Sequence, residues 1–170
     1  MEVEDFERAR GACSQDPMPV WSPDGSQVAY VWSKGGDLAT PAVGIVDLAT
    51  GTSRELASGW GLVRQLAWSP DGSQLLIVAG DHAPAYCGGL NPLVGPQSTS
   101  LYALDVDDAE SHEIALGHYV AAAWSPDGTQ IATIDYPGNR EVVVMDAGGS
   151  GSPWVLAELP AAWSLAETRL

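Results

Sequence analysis

Apolar positions in this chain fall in short runs that stop at a tryptophan or an aspartate, with turn-forming residues between them. One run ends at Trp21, Trp68 and Trp124, and each of these opens the same five residues, Trp-Ser-Pro-Asp-Gly. A polar pair and a second aliphatic run follow each copy: Ser26-Gln27-Val28, Ser73-Gln74-Leu75 and Thr129-Gln130-Ile131. The runs are rich in β-branched and aromatic residues and bounded by Gly, Pro and Asp, and no segment holds a helical period, so they predict strands. Each unit reads as four of them. The first is the stretch ending at the tryptophan (Leu66–Trp68, Ala121–Trp124). The second is Gln27–Trp32, Gln74–Ala79 or Gln130–Ile134. The third is Val43–Leu48, Ser100–Val106 or Glu141–Asp146, and the fourth lies near Ser53–Ala57, His112–Leu116 or Trp154–Ala157. Only Met1–Arg10 reads otherwise, as one or two polar helical turns.

The repeat extends beyond its signature. An aliphatic–Asp step closes each third strand, at Val46-Asp47, Leu104-Asp105 and Met145-Asp146. From the turn aspartate to this second one the spacings are 23, 34 and 19 residues; from there to the next tryptophan they are 21, 19 and 17, taking Trp163 as a fourth. The second half of each unit is therefore nearly constant, and the first half absorbs the insertions. Ala161-Ala162-Trp163-Ser164 matches Ala122-Ala123-Trp124-Ser125, but Leu165, Ala166 and Glu167 replace Pro, Asp and Gly, so the fourth unit is degenerate. A polar segment over residues 1–16 and a repeat region over 17–170 follow, with units starting near 17, 64, 119 and 160. One unit cannot bury its apolar face alone, so the chain is read as an array.

Four short antiparallel strands at this period form the pattern of a β-propeller blade. The Trp-Ser-Pro-Asp-Gly copies resemble the TolB-like, WD-repeat-like propeller family over about residues 17–165. The resemblance implies an all-β fold: a partial β-propeller of about three four-stranded antiparallel blades plus a fragment of a fourth. It says little about activity, because such propellers serve as binding platforms, as gating domains of larger hydrolases and as parts of envelope assemblies. Propellers close with about 4–8 blades. The shortfall has three readings: a fragment of a longer chain, copies that complete a ring together, or a partner that covers the open ends.

Charge narrows the partners. The net charge is −15, with one lysine and six arginines among 170 residues. Such a surface repels phosphate backbones and anionic lipid, which excludes nucleic acid as an expected ligand. Its ordinary meaning is solubility rather than a cation site. No apolar stretch reaches the ~20 residues of a membrane-spanning helix. Met1–Arg10 lacks the basic start and apolar middle of a signal peptide, which fits a cytoplasmic protein or one whose leader has been removed. Of these, an extracytoplasmic location, periplasmic or secreted, is favoured.

Candidate chemistry is sparse. Asp24, Asp71 and Asp127 sit where a turn needs a side chain bonded to its own backbone, so they read as turn residues rather than ligands or catalysts. Trp21, Trp68 and Trp124 read as packing residues at blade interfaces. His112-Glu113 and His118 lack the spacing of a zinc helix. Asp105, Asp107 and Asp108 lack the rest of a calcium loop. Gly148–Ser152 is no nucleophile elbow. No cofactor or metal is expected, and no catalytic residue is assigned.

The insertions are better candidates, because loops on a rigid scaffold carry function. In the resembled family the second-to-third-strand loops share one rim with the links between blades. That rim would gather Ser33–Pro41, the long insertion Gly80–Thr99, Asp135–Arg140 and the links around Trp60 and His118. Candidate binding residues are Trp60, Arg64, His82, Tyr86, His118, Tyr119, Tyr136 and Arg140, since protein-binding surfaces enrich aromatics and arginine. The same placement puts Cys13 and Cys87 on one rim in neighbouring blades, a candidate disulfide if their Cα atoms lie within ~7 Å; two free thiols remain the alternative. The expected function is a non-enzymatic protein-binding or assembly module, its partner another protein or a second copy completing the propeller. The alternative is the propeller portion of a larger, peptidase-like hydrolase whose catalytic residues lie outside this chain.

Overall fold

A computed structural model describes residues 19–34, 40–80, 98–135 and 141–158. These residues form twelve strands and no helix. The first sheet holds β1 (Val20–Trp21), β2 (Gln27–Lys34), β3 (Thr40–Asp47) and β4 (Ser53–Ser58). The second holds β5 (Leu62–Trp68), β6 (Gln74–Gly80), β7 (Thr99–Asp105) and β8 (Ser111–Gly117). The third holds β9 (Tyr119–Trp124), β10 (Gln130–Asp135), β11 (Glu141–Asp146) and β12 (Trp154–Glu158). Every sheet is an antiparallel meander in chain order, as the fold class expected from the sequence requires. The first strands of successive sheets are neighbours, β1 beside β5 and β5 beside β9, so the sheets fan out as blades from a common inner edge.

Two strands run longer than the sequence pattern suggests, β5 beginning at Leu62 rather than Leu66 and β2 continuing to Lys34, while β7 is shifted by one residue, Thr99–Asp105 in place of Ser100–Val106. Backbone pairing extends past the apolar run wherever the partner strand continues. The predicted link Gly117-His118-Tyr119 shrinks to His118 alone, which bridges to Thr99 between β8 and β9. Met1–Arg10, Cys13, Cys87 and the unit at Trp163 lie outside the described residues.

The repeated pentapeptide makes the β1–β2, β5–β6 and β9–β10 turns, and each of its residues has a task. The glycine N–H donates to the serine carbonyl three residues back (Gly25 to Ser22, Gly72 to Ser69, Gly128 to Ser125; 2.9–3.0 Å). Each of these glycines has φ between +72° and +76°, the left-handed region that a side chain disfavours. The serine hydroxyl accepts the N–H that starts the next strand (Gln27, Gln74, Gln130) and donates to the aspartate two residues on, at 2.7, 2.6 and 2.6 Å. The aspartate in turn accepts the N–H of Ser26, Ser73 or Thr129.

Packing follows from position in the array. The two seams between blades form two apolar clusters, one around Leu75, Ile77 and Leu104 and the other around Leu76, Leu101 and Ile131. β6 lies between two blades and is buried on both faces from Leu75 to Gly80. Among the described residues β10 is covered on one face: Ile131 and Thr133 are buried, while Gln130 and Ala132 are exposed. Every residue of β12 is exposed.

Candidate functional site

The meanders place two kinds of connection at opposite ends. At one end lie the pentapeptide turns and the β3–β4, β7–β8 and β11–β12 turns. They are tied by backbone bonds from Leu48 to Ser26, Val106 to Ser73 and Ala147 to Thr129. At the other end lie the three β2–β3-type connections and the inter-blade links.

The turn aspartates belong to the first end and are held as anions. Hydrogen bonds from the Ser22 hydroxyl, then the Ser26 N–H and hydroxyl, push the Asp24 carboxyl down to about 2. The Ser125 hydroxyl and Thr129 do the same for Asp127, also about 2, and Ser69 and Ser73 lower Asp71. A carboxyl more acidic folded than unfolded adds stability that is complete above its unfolded value near 3.8 and vanishes as pH falls toward 2. The melting temperature is therefore expected to drop between pH 4 and pH 2, and the triple replacement of these aspartates by asparagine should flatten that drop in a thermal melt series.

At the opposite end the candidate residues separate. Trp60 is buried in the seam between the first two blades, its ring 5.7 Å from that of Tyr102. Tyr119 is buried in the second seam; burial first, then the nearby Asp135 carboxylate, raises its hydroxyl. Its carbonyl accepts from Thr99 Oγ1 at 2.5 Å. Both aromatics are thus committed to packing. Arg64 is half-buried at a bulge between Val63 and Gln65, and its Nε is buried without a hydrogen-bond partner among the described residues. His118 is half-buried in its one-residue link. His82, Tyr86, Tyr136 and Arg140 lie outside the described residues. No group of three His, Cys, Asp or Glu side chains able to hold a metal occurs among the described residues.

Large apolar groups are exposed on β8 of the middle blade, at Leu116 (70%), and on the two outermost sheet faces. Trp21 (64%), Trp32 (43%) and Leu48 (47%) are exposed on the first blade, and Trp154 (42%) and Leu156 (66%) on the third. Trp21 thus departs from the interface role read from the sequence, because no described blade lies beyond it. Its counterparts keep that role. Trp68 Nε1 donates to the Val20 carbonyl at 3.0 Å and Trp124 Nε1 to the Ala67 carbonyl at 3.3 Å, each across a seam. The repeat itself was the available signal: a motif tryptophan needs a blade before it.

Solved structures with this arrangement include TolB from Acinetobacter baumannii, at 20% identity and a TM-score of 0.62 over 87% of this chain and 33% of that one. The β-propeller domain of the Trilobed protease from Pyrococcus furiosus matches at 18% identity and 0.57, over 84% and 43%. The fold is a partial β-propeller. An acylaminoacyl peptidase shares it at 18% identity and a TM-score of 0.60, over 85% of this propeller and 25% of the peptidase chain. In sequence, 66 residues are 38% identical to the Tol-Pal system protein TolB of Alcanivorax borkumensis, covering 38% of the chain and 15% of that protein. The chain thus spans a small part of the curated relative it matches and about a third of the TolB structure. No protein-family model matches it. Among the described residues no helix is long and apolar enough to cross a membrane.

Proposed function

We propose that this chain is a non-enzymatic protein-binding and assembly module built on TolB-like propeller blades. The observation that supports it is the set of large apolar side chains exposed on the two outermost sheet faces, among them Leu48 and Leu156, where the first seam buries their counterparts Val106 and Leu56. Exposed apolar patches on a stable scaffold mark protein-interaction sites. The rim of loops led by Gly80–Thr99 is proposed as a second contact surface, with Arg64, His82, Tyr86, His118, Tyr136 and Arg140 as its candidate residues. A net charge of −15 favours protein over nucleic acid as the partner. An extracytoplasmic location and a Cys13–Cys87 disulfide belong to the same proposal.

Cross-linking in extract of the source organism tests the rim. Deleting residues 81–97 is expected to abolish the partner cross-links made by the intact chain; unchanged capture would sink the rim assignment. The second reading is the propeller portion of a larger hydrolase, supported by the likeness to peptidase propellers. It predicts peptidase activity only in a longer product of the same gene. Turnover by the 170-residue chain alone would defeat both readings.

A further inference from the structure

Two contacts recur in register in both seams between blades, and a third is made in the first seam. In the first contact the motif tryptophan donates Nε1 to a carbonyl of the preceding blade. The acceptor is the residue just before that blade's own motif tryptophan, Val20 or Ala67. In the second, the turn proline of one blade stacks on the turn glycine of the next. The Pro23 ring lies 3.7 Å from where a Cβ on Gly72 would stand, and the Pro70 ring 3.6 Å from the same point on Gly128. In the third, the fourth strand of one blade reaches the turn after the third strand of the next, as the Arg54 guanidinium does in donating to the Val106 carbonyl.

Among the described residues, each contact has one half only at the two ends. Trp21 is 64% exposed, and nothing lies within 4 Å of a Cβ on Gly25. The first blade's counterpart of Val106 is Leu48, set by the same backbone bond to the residue after the turn, and it is exposed. On the third blade, the residue before the motif tryptophan is Ala123, which is exposed. The register pairs Val144 with Trp154 as it pairs Ile45 with Arg54, so Trp154 holds the Arg54 position there.

We infer that the third-blade face of one copy of this chain docks head to tail on the first-blade face of a second copy; this rests on the assembly role proposed above. The two faces fit in chemistry. Trp21 would find the Ala123 carbonyl, with the small side chains of Ala123 and Ala132 leaving room for its ring. Pro126 would stack on Gly25. Where the inner seam sets an arginine against a carbonyl, this one sets Trp154 against Leu48, apolar against apolar. Closure supports the same occupant: with three described blades in each copy, two copies bring six, inside the range of about 4–8 in which propellers close. The contact is heterologous, since different faces meet, yet two copies close it into a ring.

The experiment uses the full 170-residue chain in sedimentation velocity, with Trp21→Ala and Leu156→Asp as variants on opposite faces. Both positions are exposed, so both variants are expected to keep the wild-type circular dichroism and, below the concentration at which copies associate, the wild-type melt. The wild-type chain is expected to be a dimer at micromolar concentration. Each variant alone is expected to be a monomer, because each damages both seams of the ring and a buried tryptophan is a frequent hot spot. Mixing the two variants is expected to restore a dimer through the one seam that keeps an intact Trp21 and an intact Leu156. With −15 on each copy, raising salt is expected to tighten the dimer. A monomeric wild-type chain overturns the inference, and shielding of Trp21 fluorescence in that monomer would give the face to another segment of the same chain. A dimer lost with one variant only, or a mixture that stays monomeric, replaces the head-to-tail contact by a same-face one. Partner capture through residues 81–97 is scored separately, so the rim reading and the dimer fail independently.

Discussion

Replacing Leu75 by alanine is expected to cost about 2–5 kcal/mol of folding stability, read as a lower urea midpoint with an unchanged slope. Leu75 is fully buried in the seam between the first two blades, opposite Leu104 in the strand register, and Leu104 is buried as well. Blades are rigid sheets that cannot collapse into the space a lost side chain leaves, so the cavity cost adds to the lost burial. The repeat supplies the control. Val28 follows the first pentapeptide as Leu75 follows the second, but it stands half-buried on the outermost face. Val28→Ala, measured below the concentration at which copies associate, is expected to cost less than about 1 kcal/mol. Equal costs at the two positions would mean that the first blade is covered on both faces in the monomer.

That contrast shows what the sequence could and could not disclose. The turns were legible because they are local: Ser, Pro, Asp and Gly each answer a need of the same five residues, met by bonds that span five positions at most. The alternation of strands was legible for the same reason. Burial was not, because β6 and β10 are both aliphatic strands following the same motif, and their neighbours decide which has one buried face and which has two. Trp60 and Tyr119, aromatics beside links, read as candidate binding residues, and the structure buries both. The links are so short that the side chains fold back into the seams instead. Trp21 shows the converse. Its motif signals an interface, and among the described residues only one side of that interface is present.

The least legible residue is Gln65, a polar side chain inside β5, three residues before its motif tryptophan. It spans the second seam: Nε2 donates to the Ala122 carbonyl at 2.7 Å, and Oε1 accepts the Ala122 N–H at 3.0 Å. β9 is the inner edge of its sheet, and an edge strand turns backbone groups away from its ladder. The Gln65 amide therefore substitutes for a missing strand at one residue. Gln65→Ala is expected to cost about 2 kcal/mol or more, because Ala122 is buried and two of its backbone groups lose their partner. Gln65→Glu separates the two bonds. An ionised carboxylate still accepts the N–H but faces the carbonyl with no donor, whereas the protonated acid restores both. The Glu variant's carboxyl is thus more basic folded than unfolded, so its stability is highest at acid pH and falls as pH rises through the folded value. Urea denaturation at pH 4.5 and pH 7 is expected to show the Glu variant approaching wild type only at the lower pH. A variant equally stable at both would mean that the amide N–H to the Ala122 carbonyl contributes nothing. The bond couples the second and third blades at their inner edge. Losing it is expected to loosen the third blade, and with it the placement of Ala123 and Trp154 on the face that would receive a second copy.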